Sequence, residues 1–238
     1  MASDKVGPSP PWFVTGPDGR VQSILAIHDR LLHHPDLQRR GIILREPMKP
    51  GCVYCTDKDT PPVYAVKILN PHTEEVAIQA RVLSEIRRPD NHTLPAEMTT
   101  AGHPLLIMPA VILLQDKPVL VLSLSDIMDV VFQIIEGVVF LHSLQIAHMD
   151  ICMGNLLLGS PFEPFTDPSL PSGIIANRIY IIDFGQSKQF ALGPGVQHAI
   201  KLPEAQIPPP DGVSHFDPYA WDVHCVGRTM QELMEMRR

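Results

Sequence analysis

The chain has 238 residues, 45% of them apolar, which is enough for a sizeable buried core. Its formal net charge of −7 at pH 7 argues against the basic surface that nucleic acid requires. The N-terminus lacks an apolar signal segment, and polar residues interrupt the two most apolar stretches, 105–124 and 127–146. Four cysteines without a disulfide pattern fit a reducing compartment. We therefore expect an intracellular protein, cytoplasmic or nuclear, that binds neither nucleic acid nor membrane.

The first part of the chain changes from a proline-rich to a helical pattern. Residues 1–20 carry a cluster of prolines and lack periodic apolar residues, which predicts a flexible leader. Residues 21–37 have a helical pattern, so we expect an N-terminal helical extension over 21–40.

An apolar, β-prone run at residues 63–69 carries a single lysine, Lys67. Ala65 precedes Lys67 by two residues, so both side chains lie on one face of the predicted strand. The stretch 73–88 places apolar residues at steps of three and four and predicts a helix. A strand lysine usually points to solvent, so the interpretation of Lys67 depends on motifs further along the chain.

The most informative stretch is residues 140–155, where an apolar helix end runs into a loop that holds Asp150 and Asn155. An apolar strand follows at 156–158, and a later buried strand ends at Asp183, the first residue of an Asp-Phe-Gly sequence. In phosphoryl transfer to a hydroxyl, one carboxylate meets the substrate proton while a second carboxylate and an amide hold magnesium. Asp150, Asp183 and Asn155 are the residue types that these three tasks require.

The order of these residues resembles the catalytic loop and Asp-Phe-Gly segment of the eukaryotic protein-kinase family. The run at 63–69 is similar to the family's third strand, and 105–109 resembles the strand that leads into the hinge between the lobes. Residues 221–227 look like the start of the family's central helix, whose aspartate, here Asp222, braces the catalytic loop. The resemblance spans roughly residues 41–238.

This resemblance implies an α+β, two-lobed protein kinase-like fold. A β-rich small lobe would occupy residues 41–109, and a mainly helical large lobe would occupy residues 110–238. Few residues follow Asp222, so we expect a large lobe that is truncated after the central helix. The interval between Asn155 and Asp183 is long for the family, and we interpret residues 160–176 as an inserted loop.

The resemblance also implies ATP and Mg²⁺ as cofactors and assigns roles to individual residues. Asp150 would orient the substrate hydroxyl and accept its proton, Lys67 would position the phosphates, and Asn155 with Asp183 would hold magnesium. The remaining residues would surround the adenine: Ala65 and Leu157 on its two faces, Met108 as the gatekeeper, Pro109 through its carbonyl and Val111 through its N–H.

The chain departs from the family pattern at three places in the expected site. Residues 46–54, where a glycine-rich phosphate flap belongs, contain one glycine, so their backbone amides are less free to close over phosphates. Met149 replaces the arginine expected before the catalytic aspartate. Cys152 replaces the lysine expected two residues after it, which removes a cation from beside the transferred phosphoryl group.

The helix residue that pairs with Lys67 has two candidates. Charge favours Glu75, whereas the spacing along the predicted helix favours Gln79, which can accept a hydrogen bond but cannot form an ion pair. The sequence leaves this choice open.

Three functions fit these observations. The leading one is an ATP- and Mg²⁺-dependent protein kinase that phosphorylates Ser or Thr hydroxyls, with a protein as its substrate or binding partner. The second is a pseudokinase scaffold, which the departures at Cys152 and in the flap favour. The third is a small-molecule kinase of the aminoglycoside or choline phosphotransferase type, which also uses a His-x-Asp-x-x-x-x-Asn loop.

Overall fold

A computed structural model describes residues 7–116, 123–159 and 173–236. Within these ranges the chain has a mixed α/β fold and divides into two compact units, which are described separately. The first unit contains residues 7–76, 95–110 and 173, and the second contains residues 77–94, 111–116, 123–159 and 174–236. Most of the expected inserted loop, residues 160–172, lies outside the described residues. No helix in the described ranges is long and apolar enough to cross a lipid bilayer.

The first unit is built on a five-stranded antiparallel sheet in the order β3-β4-β5-β7-β6. On β5, Val66 and Ile68 are fully buried on one face, while Ala65 and Lys67 alternate onto the other. The predicted strands at 63–69 and 105–109 are confirmed as β5 and β7. The strands of the sheet are β3 (Glu46–Lys49), β4 (Val53–Cys55), β5 (Tyr64–Ile68), β6 (Glu97–Met98) and β7 (Leu105–Pro109).

The N-terminal residues of the first unit differ from the prediction. Residues 7–20, expected within a flexible leader, contain β1 and bury Trp12, which is 3% exposed. Apolar periodicity could not predict this packing, because a single large indole makes the apolar contact. The predicted helix over 21–37 is wrong: a turn at Gly19 starts β2, and Pro35 at the first position of α2 starts a separate helix. The elements are β1 (Val14–Thr15), β2 (Val21–Ser23), α1 (Asp29–Leu32) and α2 (Pro35–Arg40).

Trp12 joins the N-terminal segment to the core under the sheet. Its indole Nε1 donates to Pro8 O (2.8 Å), and its ring packs edge-on against the His103 ring at 4.5 Å. His103 in turn accepts from Gly7 N (3.0 Å) and bonds through Nε2 to Leu69 O (2.8 Å). The core that results is shared by the helices and the sheet and consists of Trp12, Leu31, Leu37, Leu44, Tyr54, Val66, Ile68, Leu105 and Ile107.

The second unit packs two long helices around one apolar core. α4 starts with a capping box in which Ser123 and Asp126 exchange hydrogen bonds, and α5 starts at Pro218 after the N-cap Asp217. The predicted helix at 73–88 is present but shorter, as α3. The helices are α3 (Glu75–Ser84), whose first two residues belong to the first unit, α4 (Leu124–Ser143) and α5 (Pro218–Glu235).

Three two-stranded ladders complete the second unit. β9 and β10 pair antiparallel, with Leu156 opposite Ile181, which places the ends of the predicted strands side by side. His92 fixes this hairpin, because its backbone carbonyl accepts from Ile181 N (2.7 Å) and its ring bonds to Ile179 O and Glu136 (2.9 Å each). The strands are β8 (Ile146–Ala147), β9 (Leu156–Leu158), β10 (Ile179–Ile181), β11 (Lys188–Gln189), β12 (Ile200–Lys201) and β13 (His215–Phe216).

The burial of Trp12 predicts that the N-terminal segment contributes to stability. Trp12→Ala should lower the free energy of unfolding by about 3 kcal/mol, because truncating a buried aromatic residue leaves a cavity. Val21→Ala is the control, since Val21 is 46% exposed and its truncation should cost under ~0.5 kcal/mol. Urea unfolding, monitored by circular dichroism, measures the stability of both variants. Equal unfolding midpoints for Trp12→Ala and Val21→Ala would show that the N-terminal segment does not pack in solution.

Candidate active site

Lys67 forms a buried ion pair in the first unit. Its Nζ donates to Glu75 Oε1, and the two side chains are only 13% and 3% exposed. The structure therefore selects Glu75 over Gln79 as the partner of Lys67. A carboxylate neutralises a buried ammonium, and Glu75 is also the first residue of α3, where the helix dipole stabilises a negative charge. Gln79, one turn further along, has a buried Oε1 that accepts no hydrogen bond from the described residues.

The other predicted residues of the first unit lie beside Lys67 on β5 and β7. Ala65 pairs with Met108 in the register of these strands, and Lys67 pairs with Leu106. Ala65 and Met108 are 6% and 8% exposed, and Pro109 is buried at the end of β7. The sheet thus brings together Ala65, Lys67, Met108 and Pro109, all four of the predicted site residues that this unit contains.

The turn between β3 and β4 occupies the place where a glycine-rich flap was expected. Gly51 has a φ of 73°, and a Cβ there would lie 2.7 Å from the Pro11 Cβ. Its carbonyl accepts from Trp12 N (2.8 Å). The single glycine is therefore required by a left-handed turn and by the close approach of residues 11–13, which hold the turn in place.

In the second unit, Asp222 braces the loop that carries Asp150, as the resemblance implied. Asp222 is fully buried; its Oδ1 accepts from Met149 N (2.6 Å), and its Oδ2 accepts from His148 N (2.8 Å). A third contact joins Oδ2 to His142 Nε2 near the end of α4 (2.9 Å). These bonds span more than 70 residues of sequence, so they fix the loop against α4 and α5.

Met149 occupies the position where the family has an arginine, and its surroundings explain the change. Its side chain is fully buried in the core of the second unit, where an unpaired guanidinium would be costly. Its backbone has a φ of 64°, which is uncommon for a residue with a side chain. Two hydrogen bonds hold that conformation: Met149 N donates to Asp222, and Met149 O accepts from Trp221 Nε1 (3.2 Å).

Asn155 is bonded directly to Asp150. Its Nδ2 donates to the Asp150 backbone carbonyl (2.8 Å) and to Asp150 Oδ2 (3.1 Å). Because the amide nitrogen faces Asp150, the amide oxygen is the atom that can ligate a cation. Asn155 O also accepts from Ile182 N (3.0 Å), which brings the residue before Asp183 onto the same loop.

His148 links Asp150 to Ile182, which lies between β10 and Asp183. Its Nε2 bonds to Ile182 O (3.0 Å) and its Nδ1 accepts from Asp150 N (3.3 Å). Burial lowers the pKa of His148, so the ring is neutral with the proton on Nε2. Its ring lies 5.0 Å from that of the buried Phe184, so both residues are packing elements of the site.

Asp183 has a strained backbone at the start of a short 3₁₀ turn. Its φ of 64° and ψ of 70° are left-handed, and its Oδ1 accepts from Gly185 N (3.3 Å). Ser187 closes the turn, because it is 4% exposed and its hydroxyl donates to His148 O (3.1 Å). The Asp-Phe-Gly segment is thereby attached to the Asp150 loop.

Leu157 and Val111 are the remaining predicted residues of the second unit. Leu157 lies in the middle of β9, pairs with Tyr180 and forms an isolated bridge with Leu113. It is 5% exposed and Val111 is 8% exposed. The β9–β10 hairpin and its flanking loops thus position Asp150, Asn155, Leu157 and Asp183, while Val111 lies two residues before the Leu113 bridge.

Cys152 leaves the Asp150 loop without the cation that the family places there. Its side chain is 5% exposed, and burial, with the nearby Asp150 charge, raises the pKa of the thiol to about 11. The thiol is therefore neutral at pH 7. It is neither a cation nor an activated nucleophile.

One residue in contact with Asp150 was missed by the sequence reasoning. Gln206 donates from its backbone N to Asp150 Oδ1 (2.8 Å) and from Nε2 to Oδ2 (3.3 Å). It lies 56 positions from Asp150 in a proline-rich stretch without a motif. No local pattern could have identified it.

The donor set fits magnesium bound together with phosphates. Mg²⁺ prefers oxygen ligands and is usually held by one or two carboxylates plus phosphate oxygens. Asp183 supplies a carboxylate and Asn155 an amide oxygen, on segments joined by the Ile182 N to Asn155 O bond. When bound, the ion would neutralise negative charge on the phosphates.

The chain belongs to the protein kinase domain family. The profile of that family, described as "Protein kinase domain", matches residues 49–204, which is more than half of the chain. The match covers Lys67, Glu75, Asp150, Asn155 and Asp183. It supports a kinase-like phosphotransferase and implies ATP and, usually, Mg²⁺.

The contacts of Asp222 predict that Asp222→Asn destabilises the protein by about 2 kcal/mol. An amide can accept at one atom only, so its NH₂ group would face a buried N–H whichever way it is turned. Asp217→Asn is the matched control, because Asp217 caps α5 by accepting from Tyr219 N and asparagine caps a helix equally well. Thermal or urea unfolding tests the difference, and equal losses in the two variants would contradict the proposed brace.

Proposed function

We propose that the protein is a two-lobed protein kinase that transfers the γ-phosphoryl group of ATP to a Ser or Thr hydroxyl of a protein. The observation that carries the proposal is the bonding of Asp150 to Asn155 and of Asn155 to the segment that ends at Asp183. This constellation would supply a proton acceptor and two magnesium ligands on two segments that are joined by hydrogen bonds. The lobe boundaries, 41–109 and 110–238, and the intracellular location belong to the same proposal.

In this reaction the substrate hydroxyl oxygen bonds to the γ-phosphorus while the bond from that phosphorus to the β,γ-bridging oxygen breaks. Asp150 accepts the hydroxyl proton, and ADP leaves with the bridging oxygen. Asn155 and Asp183 would hold the metal, which would neutralise charge on the phosphates, and Lys67 would position the phosphates by charge. The protein contributes mainly positioning and charge stabilisation, because little covalent chemistry is required of it.

Glu75 supports the role of Lys67 by fixing its ammonium in place. A lone lysine on a strand would spread over several rotamers, whereas the ion pair with Glu75 holds Nζ at one position. Because both side chains are largely buried, the pair is weakly screened by solvent and salt. A phosphate that approaches Lys67 would therefore meet a pre-positioned cation.

A pseudokinase scaffold is the second candidate, and Cys152 is the observation that favours it. A neutral, buried thiol stands where the resemblance leads us to expect a lysine beside the transferred phosphoryl group. Such a protein would keep the fold, with or without nucleotide binding, and would transfer phosphate slowly or not at all. Among the contacts of the described residues, we find none that favours the small-molecule kinase alternative.

Nucleotide binding is the first test of the proposal. With ATP and Mg²⁺ at about a hundred times the dissociation constant, the free energy of unfolding of the wild type should rise by roughly 2.7 kcal/mol, which raises Tm by about 5–10 °C. Lys67→Ala and Asp183→Asn should each abolish the gain. Lys58→Ala should retain it, because Lys58 is an exposed lysine paired with Glu46. If the Tm of the wild type does not shift in millimolar ATP and Mg²⁺, the proposal that the protein binds nucleotide is wrong.

Cys152→Lys separates the weak kinase from the scaffold. An ammonium beside Asp150 would be paired rather than isolated, and it would restore positive charge near the transferred group. We expect phosphoryl transfer to increase by about tenfold, the effect of roughly 1.4 kcal/mol in the barrier. Cys152→Met is the control, since it adds length without charge. If both variants bind nucleotide and neither transfers phosphate faster than the wild type, the scaffold becomes the better interpretation.

A further inference from the structure

The loop that joins β12 to β13 places Gln206 on the carboxylate of Asp150. The backbone N of Gln206 donates to Oδ1 at 2.8 Å, and its side-chain Nε2 donates to Oδ2 at 3.3 Å. Asn155 Nδ2 occupies a further position on Oδ2 at 3.1 Å. Both oxygens of the predicted proton acceptor therefore already hold hydrogen bonds from the protein.

These contacts leave Asp150 little room for a substrate. An ionised carboxylate offers about four acceptor positions, and three of them are used here. Asp150 is 8% exposed, although a general base must be reached by the hydroxyl whose proton it takes. By contrast Gln206, whose N–H groups bond to both Asp150 oxygens, is exposed to solvent.

The loop is built to hold Gln206 at this position. The strands at its base are paired, with Ile200 opposite Phe216, and Leu202 N donates to Ser214 O (3.4 Å). Leu202 and Ile207, on either side of Gln206 in sequence, pack against the core of the second unit. The side chain also lies against the catalytic loop, since a Cβ on Gly154 would be 3.0 Å from Gln206 Oε1.

We propose that Gln206 is an autoinhibitory gate that covers Asp150 until a polypeptide substrate displaces it. The inference rests on the proposed phosphotransferase function and adds its regulation. A substrate hydroxyl that approaches Asp150 from the side of Gln206 meets acceptor positions that Gln206 N–H groups now fill, so the two compete for the same carboxylate. The closed and open arrangements differ by a few hydrogen bonds to a charged group, a difference that a bound substrate can offset.

Phosphorylation within residues 183–211 is not the trigger for this gate. Ser187 is the one Ser, Thr or Tyr in that stretch, and its hydroxyl is buried and bonded to His148 O. A kinase would have to unfold the turn after Asp183 to reach it. Displacement by the substrate, which approaches Asp150 from the solvent side of Gln206, needs no such change.

The test uses the full chain and four variants. Gln206→Ala removes the side-chain donor, and Gln206→Glu keeps the shape while placing a like charge beside Asp150. Gln197→Ala and Gln197→Glu are the controls, because Gln197 lies earlier in the same stretch and its amide donates to His198 O. Two quantities are measured for each protein: the rate of carbodiimide labelling of Asp150 by mass spectrometry, and phosphoryl transfer from ATP to a generic Ser- and Thr-containing protein.

The gate predicts that both quantities rise by about threefold or more in the two Gln206 variants and stay unchanged in the Gln197 controls. Unchanged labelling of Asp150 in both Gln206 variants would overturn it. Faster labelling with slower transfer would also overturn it, since Gln206 would then position Asp150 for catalysis. Faster labelling in proteins that never transfer phosphate, the wild type included, would support the cover over Asp150 and reject the proposed function instead.

Discussion

The Asp222 carboxylate is fully buried, and its hydrogen bonds to His142, His148 and Met149 are the constraint on which the candidate active site depends. A buried anion is tolerated only when its oxygens are bonded, and here α4 and the Asp150 loop supply the donors. The left-handed backbone of Met149 turns its N–H toward that carboxylate. The position of Asp150, the next residue, follows from this arrangement.

The negative charges of this loop are balanced by dipoles more than by cations. Asp150 and Asp222 accept from backbone, amide and imidazole N–H groups, while Met149 and Cys152 fill positions where the family has arginine and lysine. Such donors fix the carboxylates in place but add no net positive charge. Under the proposed function, the positive charge for transfer would come from the bound metal and from Lys67. Under that proposal, Met149 and Cys152 would affect transfer rather than the fold, since both side chains are buried in the second unit.

Sequence patterns predicted the parts of the structure that have a local period or a fixed motif. The strand with Lys67, the two strands between Asn155 and Asp183 and the Asp222 brace were expected and are present. Contacts between distant residues without a motif could not be predicted, as the burial of Trp12 and the bond from Gln206 to Asp150 show. The choice between Glu75 and Gln79 also needed coordinates, because both lie on one helix face and only side-chain geometry separates them.

The two segments that the sequence did not predict act on candidate site elements in the same way. Trp12 donates its backbone N–H to Gly51 O in the turn that replaces the phosphate flap, and Gln206 donates its own to Asp150 Oδ1. Each contact is made by the main chain, so it survives most substitutions of the side chain. Each is positioned instead by apolar anchors, the Trp12 indole in one unit and Leu202 with Ile207 in the other. The packing of these two segments therefore restrains the Gly51 turn and Asp150. The side chain of Gln206 adds one further hydrogen bond to Asp150, which a single substitution can remove.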